Sequence, residues 1–204
     1  MKIAFCLFKY SPYSGLSLDF LRILEECQKR GHDTHVFVAE WRGERPEGVP
    51  FTVVEPLKFS LKFSKHAQNE QFHNKLEVEL KKQTFDVVVG FNKMPGLDLY
   101  YGADSCYVGD KSTLYPPIYK LSARYKGRYA FEEAVFGLKS QTLILSLSER
   151  QKSEYQENYF TPNERFHLLP PTLDKSFSPI TDRVHQREKL RVELDLPIND
   201  LLLM

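Results

Sequence analysis

A short polar loop, GFNKMPGLD at residues 90–98, contains the side chains of this sequence that are best suited to bind a polar substrate. It directly follows an apolar run at residues 87–89 that is typical of a strand buried on both faces. Ligands of open parallel sheets bind where the strands end at their carboxyl side. We therefore expect the Pro-Gly turn of this loop to direct Asn92, Lys93 and Asp98 to that edge of a sheet. A loop of this composition without any function is the alternative.

Two carboxylates, those of Asp98 and Asp104, are the acidic groups best placed to meet a hydroxyl nucleophile. A carboxylate can orient a hydroxyl or a sugar through hydrogen bonds that matter most as charge develops in the transition state. We therefore expect Asp98 to be the catalytic residue, and Asp104 to bind substrate together with Asn92 and Lys93.

A second loop follows the first apolar run and enters a helix through Gly15, Leu16 and Asp19. The first N–H groups of a helix have no partner within it, so a helix N-terminus can hold a phosphate or a sugar oxygen. We expect Asp19 in the first helical turn, where the helix dipole favours a carboxylate whatever its role. A glycine here is often only part of a turn, and the dinucleotide-binding pattern GxGxxG is absent.

A basic and aromatic segment at residues 111–131 contains five Lys or Arg residues and no acidic one. In a chain of formal charge +1 such a segment indicates a surface for anionic groups, and tyrosines beside basic side chains suit a membrane interface. RNA, whose bases stack on aromatic rings, is one alternative, and a solvated helix with tyrosines in the core is another. The residues expected at the membrane surface are Lys111, Tyr115, Tyr119, Lys120, Arg124, Tyr125, Lys126, Arg128 and Tyr129.

Strand and helix patterns alternate along the chain. Apolar runs at residues 2–8, 87–89 and 143–147 are typical of buried strands, and residues 18–30 and 65–82 have helical patterns between strands. Shorter strands are expected at residues 35–39 and 52–54. This alternation predicts an α/β fold with a Rossmann-like, doubly wound parallel sheet.

The composition of the chain argues against several classes of function and indicates a cellular compartment. The chain has 28 Lys and Arg against 27 Asp and Glu, so its global charge predicts no polyanionic partner. No run approaches the roughly 20 apolar residues that a membrane span needs. Three cysteines without CxxC spacing fit a reducing compartment, so we expect a cytoplasmic protein. The scattered histidines have no metal-site spacing.

The last part of the chain has a different character. Pro170, Pro171 and Pro179 bracket a segment unsuited to regular structure, and a charged helical pattern follows at residues 182–194. Residues 198–204 resemble the opening of another buried strand. We therefore expect residues 1–169 to form one domain, and residues 170–204 to be a linker and the truncated start of a second domain.

Several stretches resemble a known enzyme family. KIAFCLFKYSPYSGL, LDFLRI and RGHDTHVFV resemble the acceptor-side domain of the GT-B glycosyltransferases of family 4. LLPPTLDKSFSP is similar to the segment with which such enzymes cross to the donor domain, and REKLRVELDLPINDLLLM to the helix and strand that follow. More closely, AFCLFKY, VVGFNKMPGLD, LSARY and AFE resemble the lipopolysaccharide-core glucosyltransferases of that family.

This resemblance implies a retaining hexosyltransferase that moves glucose from UDP-glucose to a heptose of the lipopolysaccharide inner core, with no metal or other cofactor. It implies that Gly15 lies against the donor diphosphate or the transferred sugar, and that Asp19 and Asp98 line the cleft. The usual Gly-Gly is Ser14-Gly15 here. It also implies that most donor-binding residues lie in a second domain, so that these 204 residues alone are inactive.

The expected partners are UDP-glucose, the lipopolysaccharide core acceptor and an anionic membrane, with no nucleic acid. The expected location is the cytoplasmic face of the inner membrane, to which the protein would bind peripherally. One alternative is a family 4 glycosyltransferase with another sugar nucleotide. The other is a non-catalytic module that binds a membrane surface or RNA through residues 111–131.

Overall fold

The computed structural model describes residues 1–55, 65–112, 117–170 and 182–197. The chain divides into two compact units, Met1–Pro171 and Thr172–Met204. All strands among the described residues belong to the first unit, and one helix is described in the second.

Seven strands form a single parallel sheet in the order β3-β2-β1-β4-β5-β6-β7. The order reverses between β1 and β4, as in a doubly wound sheet. The expected Rossmann-like α/β fold is therefore confirmed. The strands are β1 Lys2–Tyr10, β2 Asp33–Trp41, β3 Phe51–Val53, β4 Val87–Gly90, β5 Leu99–Gly102, β6 Leu143–Ser146 and β7 Phe166–Leu168.

Helices connect the strands and cover both faces of the sheet. In the first unit they are α1 Gly15–Lys29, α2 Lys65–Leu80, α3 Tyr107–Ser112, α4 Ala123–Phe136 and α5 Glu149–Tyr159, with 3-10 turns at Pro117–Leu121 and Asn163–Arg165. The second unit contains α6 Arg183–Glu193, within the charged pattern expected at residues 182–194. The prolines at 171 and 179 and residues 198–204 lie outside the described residues.

The two faces of the sheet have separate cores because successive side chains of a strand point to opposite sides. In β1, Ile3, Phe5 and Leu7 pack with α1 through Phe20 and Leu24. The alternate residues of β1 pack on the other face with α2, α4 and α5. Both faces are buried, which is why β1 has a continuous apolar sequence.

The register of the central strands locates the edge at which a ligand would bind. Gly90, the last residue of β4, pairs with Cys6 and Tyr100, while β1 continues to Tyr10. Gly102, the last residue of β5, pairs with Ser146 at the end of β6. The loops after these strands therefore lie together where the strands end at their carboxyl side. This side of the sheet is called the carboxyl edge below.

Candidate active site

The turn after β1 delivers the chain into the N-terminus of α1 at the carboxyl edge. Ser14 adopts an extended conformation before the helix, and its side chain makes no capping hydrogen bond. The Ser17 hydroxyl instead accepts a hydrogen bond from the N–H of Ser11 and so fixes the turn, at 3.0 Å. The first turn of α1 therefore presents backbone N–H groups that its own N-cap side chain does not satisfy.

Gly15, the first residue of α1, is exposed and borders open space. A Cβ added there would meet no atom of the described residues within 4 Å, and its backbone is not in the left-handed region. Neither internal packing nor conformation therefore requires a glycine here. Leu16, the next residue, is half-buried and packs against the core on the α1 face.

The carboxylate of Asp19 joins α1 to the end of β5. The buried Tyr101 hydroxyl donates a hydrogen bond to it at 2.8 Å, and Arg22 forms an ion pair with it at 3.4 Å. Burial, and then the hydrogen bond to Asp19, raise the pKa of Tyr101, so the hydroxyl stays protonated as a donor. Because α1 begins at Gly15, Asp19 lies in the second turn, and the expectation of the first turn is wrong.

Asn92, in the loop after β4, holds that loop against the end of β1. Its side-chain oxygen accepts a hydrogen bond from the N–H of Phe8 at 2.8 Å. The N–H of Phe91 also donates to the carbonyl of Cys6 at 2.9 Å. The expected placement of Asn92 at the carboxyl edge is therefore observed.

The ammonium group of Lys93 is already engaged within the protein. It donates to the carbonyl of Ser105 at 2.6 Å and to the carboxylate of Glu132, and it lies 5.2 Å from the centre of the Tyr155 ring. The Lys93 side chain is 12% exposed and that of Glu132 is fully buried. Lys93 thus neutralises a buried carboxylate, and its part at the edge is to hold neighbouring backbone in place.

Asp104 is the exposed carboxylate that follows β5. Its side chain accepts a hydrogen bond from the Tyr100 hydroxyl at 3.2 Å. Its backbone carbonyl accepts from the Gln151 amide and the Tyr155 hydroxyl, both at 3.0 Å. Asp104 therefore combines a fixed backbone with a carboxylate that solvent or a ligand can reach.

Asp98 lies at the amino ends of the strands, whereas the other predicted site residues lie at the carboxyl edge. The loop after β4 turns back, so Asp98 comes directly before β5 and beside the start of β4. Its carboxylate accepts a hydrogen bond from the N–H of Val88 at 2.8 Å, and its own N–H donates to the Val88 carbonyl at 3.0 Å. The expectation that the loop directs Asp98 to the carboxyl edge is wrong, so its placement no longer supports a catalytic role.

The structure therefore brings Gly15, Asp19, Asn92, Lys93 and Asp104 to one edge and leaves out Asp98. The edge offers a helix N-terminus for an anion, and carboxylate and amide groups for hydroxyls. Among the described residues, no group of three His, Cys, Asp or Glu side chains could hold a metal ion.

Three residues of this edge were not predicted from the sequence. Tyr101 and Glu132 are buried polar residues in apolar segments, and such groups require partners. Gln151 donates to the Gly102 carbonyl at 2.6 Å and accepts from the N–H of Leu147 at 3.1 Å, so it joins the loops after β5 and β6. In the sequence, only the apolar neighbours of Glu132 in AFEEAVF could have indicated that this residue is buried.

The described part of the basic and aromatic segment presents cations outward and tyrosines inward. Lys120, Arg124 and Lys126 are exposed, as are the apolar side chains of Ile118 (74%) and Leu121 (70%). The Lys111 side chain and Tyr115 lie outside the described part of the chain.

The tyrosines of this segment pack in a row that reaches the core. Tyr119 and Tyr129 flank Tyr125 with ring centres 5.9 and 6.3 Å from it, and Tyr129 lies 5.9 Å from Tyr159. The guanidinium of Arg128 lies over the Tyr107 ring at 5.3 Å. Burial and the neighbouring Tyr119 raise the pKa of Tyr107 to about 12. No described helix has both the length and the apolar composition that crossing a membrane requires.

Comparison with known proteins gives consistent matches. The family model described as Glycosyltransferase Family 4 matches residues 13–177. The lipopolysaccharide glucosyltransferase WaaG of Escherichia coli (strain K12) is 38% identical over 180 residues, which are 87% of this chain and 47% of that protein. A crystal structure of WaaG, a glycosyltransferase involved in lipopolysaccharide biosynthesis, matches with a TM-score of 0.83 and 34% identity over 97% of this chain and 52% of that one. The chain thus spans about half the length of the relatives it matches.

Proposed function

The chain belongs to glycosyltransferase family 4, and we propose that it serves the transfer of glucose from UDP-glucose to a heptose of the lipopolysaccharide inner core, with retention of configuration. The observation that carries this proposal is the 38% identity to a lipopolysaccharide glucosyltransferase over 87% of the chain. The chain matches the corresponding part of a GT-B structure at a TM-score of 0.83.

The donor would approach the N-terminus of α1. Gly15 leaves open space beside first-turn N–H groups that Ser14 does not cap, and such groups favour phosphate oxygens. This arrangement supports holding the diphosphate of UDP-glucose without a metal ion. Asp19, fixed by Tyr101 and Arg22, would receive a hydroxyl of the sugar at the same edge.

The acceptor would meet the loops after β4 and β5. The exposed carboxylate of Asp104 suits a heptose hydroxyl, because its backbone is held by Gln151 and Tyr155. Asn92 and Lys93 would shape this side of the cleft. Because Lys93 already binds Glu132, its contribution would be to position the loop rather than to carry a free charge to the acceptor.

The activity of the whole enzyme would require more than these residues. The chain spans about half of each matched relative, and in GT-B enzymes the donor is bound between two domains. We therefore expect purified residues 1–204 to show no glucosyl transfer and only weak binding of UDP-glucose.

The same protein would work at the cytoplasmic face of the inner membrane. Lys120, Arg124 and Lys126 are exposed beside the apolar side chains of Ile118 and Leu121. Cations interspersed with exposed apolar groups are typical of surfaces that bind anionic lipid peripherally. Such binding would bring the candidate active site to a lipid-anchored acceptor.

The donor subsite can be tested by titrating the chain with UDP and GDP while recording amide chemical shifts. We expect UDP to shift the N–H signals of the first turn of α1. Gly15→Val should weaken this binding by about tenfold or more, because the side chain would fill the space that the phosphate needs. Ala123→Val, a matched change at the first residue of α4, should leave it unchanged.

Two results would count against this subsite. The first is a wild-type UDP response that lies away from α1, and the second is an undiminished response in Gly15→Val. A preference for GDP over UDP would instead favour a family 4 enzyme with another sugar nucleotide.

A further inference from the structure

The strand β5 contains two consecutive tyrosines, Tyr100 and Tyr101, which are 0% and 2% exposed. Successive side chains of a strand point to opposite faces of the sheet. Tyr100 accordingly packs in the core on the side of α2 and α4, and Tyr101 in the core on the side of α1. Phenylalanine would fill both places without a buried hydroxyl that needs a partner. The hydroxyl groups, and not the rings, therefore distinguish this strand from an ordinary apolar one.

Each of the two hydroxyls donates a hydrogen bond to a carboxylate at the carboxyl edge. Tyr101 donates to Asp19 at 2.8 Å, and Tyr100 donates to Asp104 at 3.2 Å. The contact with Asp19 has the usual length of an O–H···O hydrogen bond, whereas the contact with Asp104 is longer. The strand β5 thus reaches α1 on one face and the loop that follows β5 on the other, and it holds Asp19 the more firmly.

These contacts leave both carboxylates able to accept further hydrogen bonds. Burial, and then the neighbouring carboxylate, raises the pKa of Tyr101 and that of Tyr100, so both hydroxyls stay protonated. One phenol donor occupies one of about four acceptor positions of a carboxylate. The Asp19 side chain also pairs with Arg22 and is still 18% exposed, and Asp104 is exposed. Each carboxylate is therefore held from the protein side and keeps a surface for a ligand.

We propose that Tyr101 and Tyr100 are positioning residues that orient the carboxylates of Asp19 and Asp104 toward hydroxyl groups of the transferred sugar and of the acceptor. This inference rests on the proposed function, which places substrate at these two carboxylates. The buried tyrosines act through the carboxylates, because their hydroxyls restrict the rotation of each carboxylate before substrate binds. An acceptor group that is already oriented lowers the entropy cost of binding.

The orientation of the carboxylates can be measured in the full chain without a ligand. Three-bond couplings of the Cβ protons report whether a side chain keeps one rotamer or exchanges between several. We expect one dominant rotamer for Asp19 and for Asp104 in the wild type. Tyr101→Phe should average the couplings of Asp19 and leave those of Asp104 unchanged. Tyr100→Phe should average the couplings of Asp104 and leave those of Asp19 unchanged.

The consequence for binding can be tested with UDP and UDP-glucose as probes of the full chain, followed by amide chemical shifts. The preference for UDP-glucose over UDP reports the contacts of the sugar, and comparison between variants cancels the other differences between the two ligands. Asp19→Ala should reduce this preference. Tyr101→Phe should reduce it by roughly 3- to 10-fold, the effect of one hydrogen bond, and leave the binding of UDP unchanged.

Tyr159→Phe is the matched control. It removes another buried tyrosine hydroxyl that donates to a carboxylate, that of Glu132, at 2.7 Å. It should change neither the couplings of Asp19 nor the preference for UDP-glucose. Circular dichroism of each variant checks that the fold is retained.

Unchanged couplings of Asp19 in Tyr101→Phe would overturn the proposal for Tyr101, and unchanged couplings of Asp104 in Tyr100→Phe would overturn it for Tyr100. An undiminished preference for UDP-glucose in Tyr101→Phe, when Asp19→Ala does reduce it, would also overturn the role of Tyr101 and leave the proposed function intact. A preference that is absent from the wild type, or that Asp19→Ala does not change, would overturn both this inference and the placement of the sugar at Asp19.

Discussion

Lys93, in the loop after β4, donates a hydrogen bond to the fully buried carboxylate of Glu132 on α4. The same carboxylate accepts from the Tyr159 hydroxyl at 2.7 Å and from the first two N–H groups of α3, those of Tyr107 and Val108, at 2.9 and 3.2 Å. One buried carboxylate therefore joins the loop at the candidate active site to three helices. Arg124 and Lys126 of the basic and aromatic segment are exposed on one of these helices, α4, so the candidate site and this surface share the support.

Lys93→Met should destabilise the protein far more than a surface lysine would. The change leaves Glu132 charged and buried without its cation, which typically costs about 3 to 5 kcal/mol of unfolding free energy. Lys82→Met, which breaks the pair of Lys82 with Glu79 at the surface, should cost no more than about 1 kcal/mol. Urea denaturation followed by circular dichroism measures both.

The double variant Lys93→Met/Glu132→Gln tests whether the two charges depend on each other. We expect it to lose less stability than the sum of the single variants, because neither charge is then left alone. Strict additivity, or a Lys93→Met effect no larger than that of Lys82→Met, would show that the pair is not the support described above.

Asp98→Asn should leave stability within about 0.5 kcal/mol of the wild type, since an amide oxygen can still accept the hydrogen bond from Val88. Asp98→Ala removes the acceptor and should cost about 1 kcal/mol. Thermal unfolding distinguishes the two variants. A loss of turnover by two orders of magnitude in a transferase that carries Asp98→Asn, with an unchanged fold, would instead restore a catalytic Asp98.

The strands β1, β4 and β6 could be predicted from sequence because their apolar runs are not interrupted by alternating polar residues. In β1 the reason is burial on both faces of the sheet. The strand β5, with the sequence LYYG, was missed because its tyrosines resemble a half-exposed loop, although Tyr100 and Tyr101 are buried with their hydroxyls paired. The short edge strand β7 lacks an apolar pattern on its exposed side.

For the candidate site, the sequence predicts only those residues whose position follows from the end of a predicted strand. Asn92 follows the predicted strand β4 and lies at the carboxyl edge, as expected, whereas Asp104 follows β5, which the sequence did not predict. The path of the loop after β4 decides the rest, and spacing alone does not show that it returns Asp98 to the start of β5. The sequence also does not show that Lys93 forms an ion pair with Glu132, which follows nearly forty residues later.

Removal of positive charges from the basic and aromatic segment should abolish binding of the protein to anionic vesicles. The substitution of Lys120, Arg124, Lys126 and Arg128 by Gln removes four cations, each worth about 1 kcal/mol near an anionic surface. Sedimentation with vesicles of phosphatidylglycerol and phosphatidylcholine should show wild-type binding that falls as salt rises. Removal of four cations elsewhere, at Lys29, Arg30, Lys82 and Lys139, is the control. Equal wild-type binding to purely zwitterionic vesicles would contradict the proposed surface.

Stability should decrease as the pH falls below 6.5. Burial lowers the pKa of His73 and of His35, with Lys2 adding to the effect at His35, so the unfolded chain binds protons that the folded protein does not. The free energy of unfolding therefore rises with pH below 6.5 and levels off above it, as far as these groups determine it. Thermal unfolding between pH 5 and 7.5 measures this slope, which His73→Phe should reduce and His167→Phe should not. An unchanged slope in His73→Phe would contradict the role of burial at this ring.

Arg165 should be among the most destabilising positions to truncate. Its side chain, in a residue that is 7% exposed, donates to the carbonyls of Gly137 and Thr142 at 3.0 Å each and to that of Val135, and so closes the C-terminus of α4. Arg165→Met keeps the aliphatic stem but leaves these carbonyls without their donors, at a cost of about 2 to 5 kcal/mol. Arg150→Met, at an exposed arginine of α5, should change the unfolding free energy by less than about 0.5 kcal/mol. If the two variants unfold at the same urea concentration, the carbonyls must find other donors, and Arg165 does not hold the end of α4.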